Sequence, residues 1–154
     1  MLNTLRKIVQ EVNAAKDLKA ALGIIVLRVR EAMHSHVCSV YLLDPESNRY
    51  VLMATEGLNK RAVGKVSMAS NEGLVGLVGA REEPLNLEDA ANHPRYRYFA
   101  ETGEERYASF LGAPIIHHRR VMGVLVIQQK ESRQFDEGEE AFLVTMSAQL
   151  AGVI

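Results

Sequence analysis

Tryptophan is absent from the chain, cysteine occurs once, proline four times, and no apolar run approaches the length of a membrane helix. Each shortage excludes something. A lone Cys38 forbids an internal disulfide and any metal cluster built of cysteines alone, and it suits a reducing compartment, so a cytoplasmic location is expected. No apolar run exceeds eight residues, and Val121 to Ile127 has seven including a glycine, against the roughly 20 that a spanning helix requires. The N-terminus carries no apolar stretch followed by a small-residue cleavage site. An excess of one charge is missing too: 18 Lys+Arg stand against 19 Asp+Glu, for a net charge of -1. No global field draws the chain to nucleic acid, and neither nucleic acid nor membrane is expected as a partner. What is present is 154 residues with 47% hydrophobic content, enough for one domain that hides roughly 70% of its unfolded surface on folding.

Periodicity divides the chain into elements. Leu2, Leu5, Val9 and Val12 form a stripe at helical spacing, and Asp17 is placed to cap a second helix running to about Met33, with Leu18, Leu22, Ile25, Val29 and Met33 on one face. Val37 to Leu43 and Tyr50 to Thr55 read as a β-hairpin closed by Asp44-Pro45. Val63 to Met68 suggests a short strand, and Ser70 or Asn71 a cap for a helix through Gly73, Gly76 and Gly79. Each of those glycines costs about 1 kcal/mol against Ala inside a helix, so close backbone packing is expected in return. Pro84 to Leu87 is extended, and Glu88 to Arg106 is a long polar stretch of the kind that forms a lid. Ala108 to Ile116 and Val121 to Gln129 make a second hairpin around His117-His118-Arg119-Arg120. Asp136 and Glu139 have capping-box spacing before a last helix with Leu143, Met146, Leu150 and Val153 in a stripe. The chain is expected to stop inside that helix, as a piece of something longer.

Two successive hairpins imply an antiparallel sheet, with the terminal helices on one face and the middle segment over the other. The space under that segment is the natural pocket. Period-two alternation puts Cys38, Val40 and Leu42 toward the helices, which turns Ser39 and Tyr41 to the lid side. Asn86, Asp89, Tyr96, Tyr98 and Arg106 supply donors, acceptors and aromatic walls from the lid. Arg106 stands out because a guanidinium holds a carboxylate by two parallel hydrogen bonds, although an ion pair with Glu101 or Glu105 explains it as well.

Other chemistries find less support. His34, His36 and Cys38 would share one strand face and suit zinc, but they straddle a helix end, and a fourth ligand would have to come from His93 or His117. No metal is expected. The glycines match neither G-x-x-x-x-G-K-[ST] nor G-x-G-x-x-G, which sets aside phosphate cradles of those kinds. Cys38 lacks a base with an orienting partner, and the charged turn at His117 is most simply a solvated tip. No catalytic residue is expected in this chain.

VCSVYLLD (37–44), YVLMATEGL (50–58), NEGLVGLVG (71–79), EPLNLEDAANHPRYRY (83–98), SFLGAPI (109–115), GVLVIQQKE (123–131) and FDEGEEAFLVT (135–145) together resemble a GAF domain. The resemblance extends to the N-terminal GAF domain of the nitrogen-related phosphotransferase-system enzymes I. It implies an α+β fold: a six-stranded antiparallel sheet with helices on one face and a lid-covered ligand pocket on the other. The expected role is that of a sensor of glutamine or 2-oxoglutarate that allosterically controls phosphoenolpyruvate-dependent autophosphorylation. That reaction belongs to a downstream phosphotransferase module and its phosphocarrier partner, neither of which is in this chain; Mg2+ is expected for that module and no cofactor for this one. Carried onto this sequence, the pocket comprises Ser39, Tyr41, Asn86, Asp89, Tyr98, Arg106, Ser109 and Leu111. Asn59-Lys60 matches one half of the cyclic-nucleotide GAF signature, but Phe135-Asp136-Glu137 lacks the gap of the other half. Cys38 is misplaced for bilin attachment and alone where methionine-sulfoxide reductases need several cysteines. The alternative is a dimerisation module with a vestigial pocket, since both terminal stripes have heptad spacing.

Overall fold

In the computed structural model, which describes residues 2–102 and 107–154, local signals and elements agree closely at the Asp17 and Asp136 caps. Helix α1 (Leu2–Asn13) packs on α2 (Leu18–Met33), which opens where the Asp17 carboxylate accepts the Ala20 N–H at 2.8 Å. It closes at His34, whose left-handed backbone (φ 52°) turns its N–H to the carbonyls of Arg30 and Glu31. Strands β1 (Val37–Asp44) and β2 (Arg49–Glu56) form the first hairpin. A 3-10 turn at Lys60–Ala62 precedes the region read as one strand from Val63 to Met68; 63–65 are turn, and only the short strand β3 (Ser67–Ala69) enters its end.

Helix α3 (Gly73–Arg81) follows, and its cap differs from expectation: Glu72 holds the N-cap position, not Ser70 or Asn71. The Ser70 hydroxyl is already taken by the Asn48 amide at 2.9 Å, while the Glu72 carboxylate turns back to accept the Ala69 N–H at 3.0 Å. Two glycines of this helix are there for close approach: a Cβ on Gly76 would meet the Ser70 carbonyl at 2.9 Å, and one on Gly79 the Tyr50 hydroxyl at 2.0 Å, whereas Gly73 has ordinary room around it and instead takes a left-handed φ of 69°. Strand β4 (Leu85–Leu87), the hairpin β5 (Ser109–His117) with β6 (Arg120–Gln129), and α4 (Glu137–Ala151) complete the chain. Helix α4 begins with the full reciprocal capping box of Asp136 and Glu139. It ends before the last residue, with Gly152 as C-cap, which corrects the expectation that it runs on to the final residue.

The six strands form one antiparallel sheet in the order β3-β2-β1-β6-β5-β4. Its two faces bury different sets. Cys38, Val40, Leu111, Ala113, Ile115, Leu125 and Ile127 meet Ile8, Val12, Leu22, Ile25, Val29, Leu143, Met146 and Leu150 from the terminal helices, with Leu42 packed at the margin. Tyr41, Leu52, Phe110, Val124 and Val126 face Leu74, Val75 and Val78 of α3 on the other side. Of the apolar stripes that raised the dimer alternative, Val12, Leu143, Met146 and Leu150 lie in the chain's own core and Leu5, Val9 and Val153 at its edge, while the Leu2 side chain is outside what the structure describes.

Candidate functional site

The second face of the sheet carries the cavity. The stretch from Glu88 to Thr102 crosses it with two 3-10 turns, Ala90–Asn92 and Ala100–Thr102. Its roots are drawn together where the Ala90 N–H donates to the Ala108 carbonyl at 2.7 Å, and Thr102 is held by the Asn59 N–H at 2.6 Å. Two arginines fasten its middle to the residues preceding α3: Arg95 donates to the Asn71 carbonyl and Arg97 to the Glu72 carboxylate. The Arg97 guanidinium also lies 5.0 Å over the Phe99 ring.

Beneath this cover is a cavity of about 40 Å³. Its floor is Tyr41, Phe110, Val126 and Gln128; its walls are Met68, Gly73, Leu74, Val75 and Ala90; its roof is Tyr96, Arg97 and Phe99. Space of that size holds about two or three waters. A ligand as large as an amino acid enters only if the roof residues move outward.

Of the seven expected pocket residues that the structure describes, only Tyr41 lines this cavity. Ser39 shares its face but is fully buried, and its hydroxyl is paired with that of Thr55 at 2.9 Å, so the partner expected from a ligand is supplied by β2. Asp89 is exposed on the lid, where it accepts from the Asn92 amide, and Tyr98 is 38% exposed. Arg106, and with it the rival pairing to Glu105, lies outside the described residues.

Asn86, Ser109 and Leu111 point elsewhere. Leu111 is in the helix-side core, because the pairing of Leu111 with Ile127 puts both on the face that α4 covers. Ser109 has the same parity in β5; its Oγ accepts the Arg133 N–H at 2.9 Å and lies 2.5 Å and 3.0 Å from the carbonyls of Glu131 and Arg133. The Asn86 amide donates to the Phe135 carbonyl at 2.8 Å and accepts the Phe135 N–H at 3.2 Å. These two polar side chains pin the approach to α4 instead of lining a pocket.

The sequence reading passed over Gln128, Arg97, Phe99, Phe110, Leu74 and Val75. A signal for two of them exists. Leu111, Ala113 and Ile115 are a wholly apolar alternate set, like Cys38, Val40 and Leu42, and the same rule would have turned Phe110 to the lid; Gln128 follows Val124 and Val126 at period two.

Electrostatics reinforces this division. Burial, with Glu56 adding to it, pushes the Cys38 thiol far up, so it stays a protonated core residue. Burial, then Glu82, raises the Tyr50 phenol. His34 caps α2, and His36 Nδ1 accepts the Lys130 N–H at 2.9 Å. Among the described residues, no three His, Cys, Asp or Glu side chains are grouped to hold a metal ion. Asn59 is engaged in capping the 3-10 turn, and Lys60 pairs with Glu56 at 2.8 Å. No described helix is long and apolar enough to cross a membrane.

A curled six-stranded antiparallel sheet, helices on one face and a covered cavity on the other, is the architecture of GAF domains, and the GAF family model matches residues 17–154. The chain belongs to the GAF family. The GAF domain of a phosphoenolpyruvate-protein phosphotransferase from Coxiella burnetii superposes with a TM-score of 0.95 at 52% identity, covering 99% of this chain and 90% of that one. The corresponding Acinetobacter domain gives 0.93 at 55% identity, with the same coverage. A phosphoenolpyruvate-dependent phosphotransferase system protein of Escherichia coli K12 is 50% identical over all 154 residues. The chain spans 21% of that relative's length. A free methionine-R-sulfoxide reductase from Neisseria meningitidis, at 23% identity, covers 97% of this chain and 84% of its own with a TM-score of 0.84, a likeness of fold alone.

Proposed function

We propose that this GAF domain is the regulatory sensor of a phosphoenolpyruvate-protein phosphotransferase, binding a small polar nitrogen-status metabolite, glutamine or 2-oxoglutarate, and allosterically controlling autophosphorylation by a module downstream. The observation that carries this reading is the cavity between the sheet and the 88–102 cover, with polar groups of Tyr41 and Gln128 in an otherwise apolar floor and Arg97 in its roof. Apolar walls with a few placed polar groups are what a small polar ligand requires. Gln128 offers both a donor and an acceptor to an amide or carboxylate, and Arg97 can exchange Glu72 for a ligand carboxylate as the roof moves. The relatives' phosphotransferase identity supports the regulatory context.

Coupling to the absent module is bounded by the ligand's preference for one position of the cover over another, a few kcal/mol at most. Isothermal calorimetry of the 154-residue chain with each metabolite tests the reading. A saturable heat that weakens about tenfold in Gln128→Ala supports it. Silence for both metabolites, with circular dichroism showing an intact fold, retires them.

A further inference from the structure

Both roots of the cover are tied to one short stretch of chain. From the root that precedes it, Asn86 brackets the backbone of Phe135 on both sides, and the Glu88 carbonyl accepts the Ser132 hydroxyl at 3.0 Å. From the root that follows it, the Ser109 hydroxyl grips Arg133 at its N–H. The far side of the same stretch is fixed to α4. Arg133 forks onto the Glu139 carboxylate at 2.9 Å and 2.7 Å, and Glu139 in turn accepts the Asp136 N–H at 2.9 Å to complete the helix cap. Phe135 lies 3% exposed in the helix-side core with the Arg133 guanidinium 4.4 Å over its ring.

We propose that residues 131–135 form a coupling bar that transmits the position of the cover to the first turn of α4, with Asn86 and Ser109 as its positioning residues. This rests on the sensor reading only in taking the cover as the part that moves. A displacement of the roots cannot leave the bar in place without breaking the Asn86, Glu88 and Ser109 bonds. A bar that follows the roots draws Arg133 off Glu139 and Phe135 out of its packing, which loosens the cap of α4. A carboxamide suits position 86 because it donates to the C=O and accepts from the N–H of one residue through two separate atoms, which neither a carboxylate nor a hydroxyl does.

Hydrogen exchange by mass spectrometry on the whole chain tests this without any ligand. Arg97→Ala removes the fastening to Glu72. The expected result is exchange faster by about fivefold both in residues 94–102 and in the amides of 139–142, the scale of one lost hydrogen bond. In an Asn86→Ala background, Arg97→Ala should speed only the cover. If Arg97→Ala leaves the cover unchanged, Phe99→Ala is added to remove that ring's packing on the sheet-side core as well, and the same comparison is made. Ser132→Ala, which deletes an exposed hydroxyl, replaces Asn86→Ala should that variant fail to fold. Acceleration of the cover with unaltered amides at 139–142 overturns the proposal, as does an equal response with and without Asn86. Calorimetric silence alongside coupled exchange would retire the metabolites and leave the bar standing; metabolite heat with uncoupled exchange would do the reverse.

Discussion

Tyr50 and Gly79 fit so closely that a Cβ on the glycine would stand 2.0 Å from the phenol oxygen and 2.9 Å from the ring carbon that bears it. Tyr50 is 3% exposed, so the ring has little room to retreat. Gly79→Ala should cost about 2 to 3 kcal/mol in urea unfolding, the scale of an overpacked core, although Ala is the better helix former. Tyr50→Phe in the same chain should recover part of that loss. Gly23→Ala provides the contrast: nothing lies within 4 Å of the added methyl in α2, and a gain of about 0.5 to 1 kcal/mol is expected.

Ser39 and Thr55 make a second pair whose members cannot be changed singly. With both buried and their hydroxyls 2.9 Å apart, Ser39→Ala should cost about 1 to 2 kcal/mol by leaving the Thr55 hydroxyl without its partner. Adding Thr55→Val should return most of it, and the double-mutant cycle measures the coupling.

The Arg133–Glu139 fork predicts a pH dependence. Its hydrogen bond holds the Glu139 carboxyl below the usual 4.5, so its contribution is present above that range and lost as the pH falls through the depressed value. Both side chains keep some exposure, 35% and 21%, and solvent screening limits the effect to about 0.5 to 1 kcal/mol. Glu139→Gln should lower Tm at pH 7, and the gap to the parent should close as the pH drops below 4.5. A gap that persists in acid would mean that the carboxylate charge contributes nothing.

Cys38 should be silent to thiol reagents. It is fully buried, with its thiol pushed far up by that burial, and only the thiolate reacts. Titration with a chromogenic disulfide should give no fast labelling in buffer and one equivalent in guanidinium; rapid labelling of the folded chain would contradict this packing.

The elements and the site were unequally legible in the sequence. Asp17, the Asp136–Glu139 box and both hairpins signal themselves within a few residues, because caps and turns are local hydrogen-bond problems. Cys38, Val40 and Leu42 announced their face because the alternate set was wholly apolar. Ser109 and Asn86 did not: a polar residue at a strand end looks the same whether it faces a ligand or holds a connector. The choice depends on Leu111 pairing with Ile127 and on Phe135 lying 49 positions beyond Asn86. Arg97 and Phe99 were invisible as roof residues for a related reason. Their position is set by Glu72 and by the cavity itself, not by any period along the lid.

The strand order has a consequence for the chain as it is made. Strand β1 sits at the centre of the sheet between β2 and β6, with Tyr41 opposite Val124. A ribosome releases β1 and β2 before β6, so until β6 follows the hairpin presents an open edge along Val37–Asp44. Its apolar side chains, Cys38 and Val40 among them, have no finished core to enter. Unpaired apolar edges recruit other chains. Until the last two elements emerge, that edge is open to such pairing.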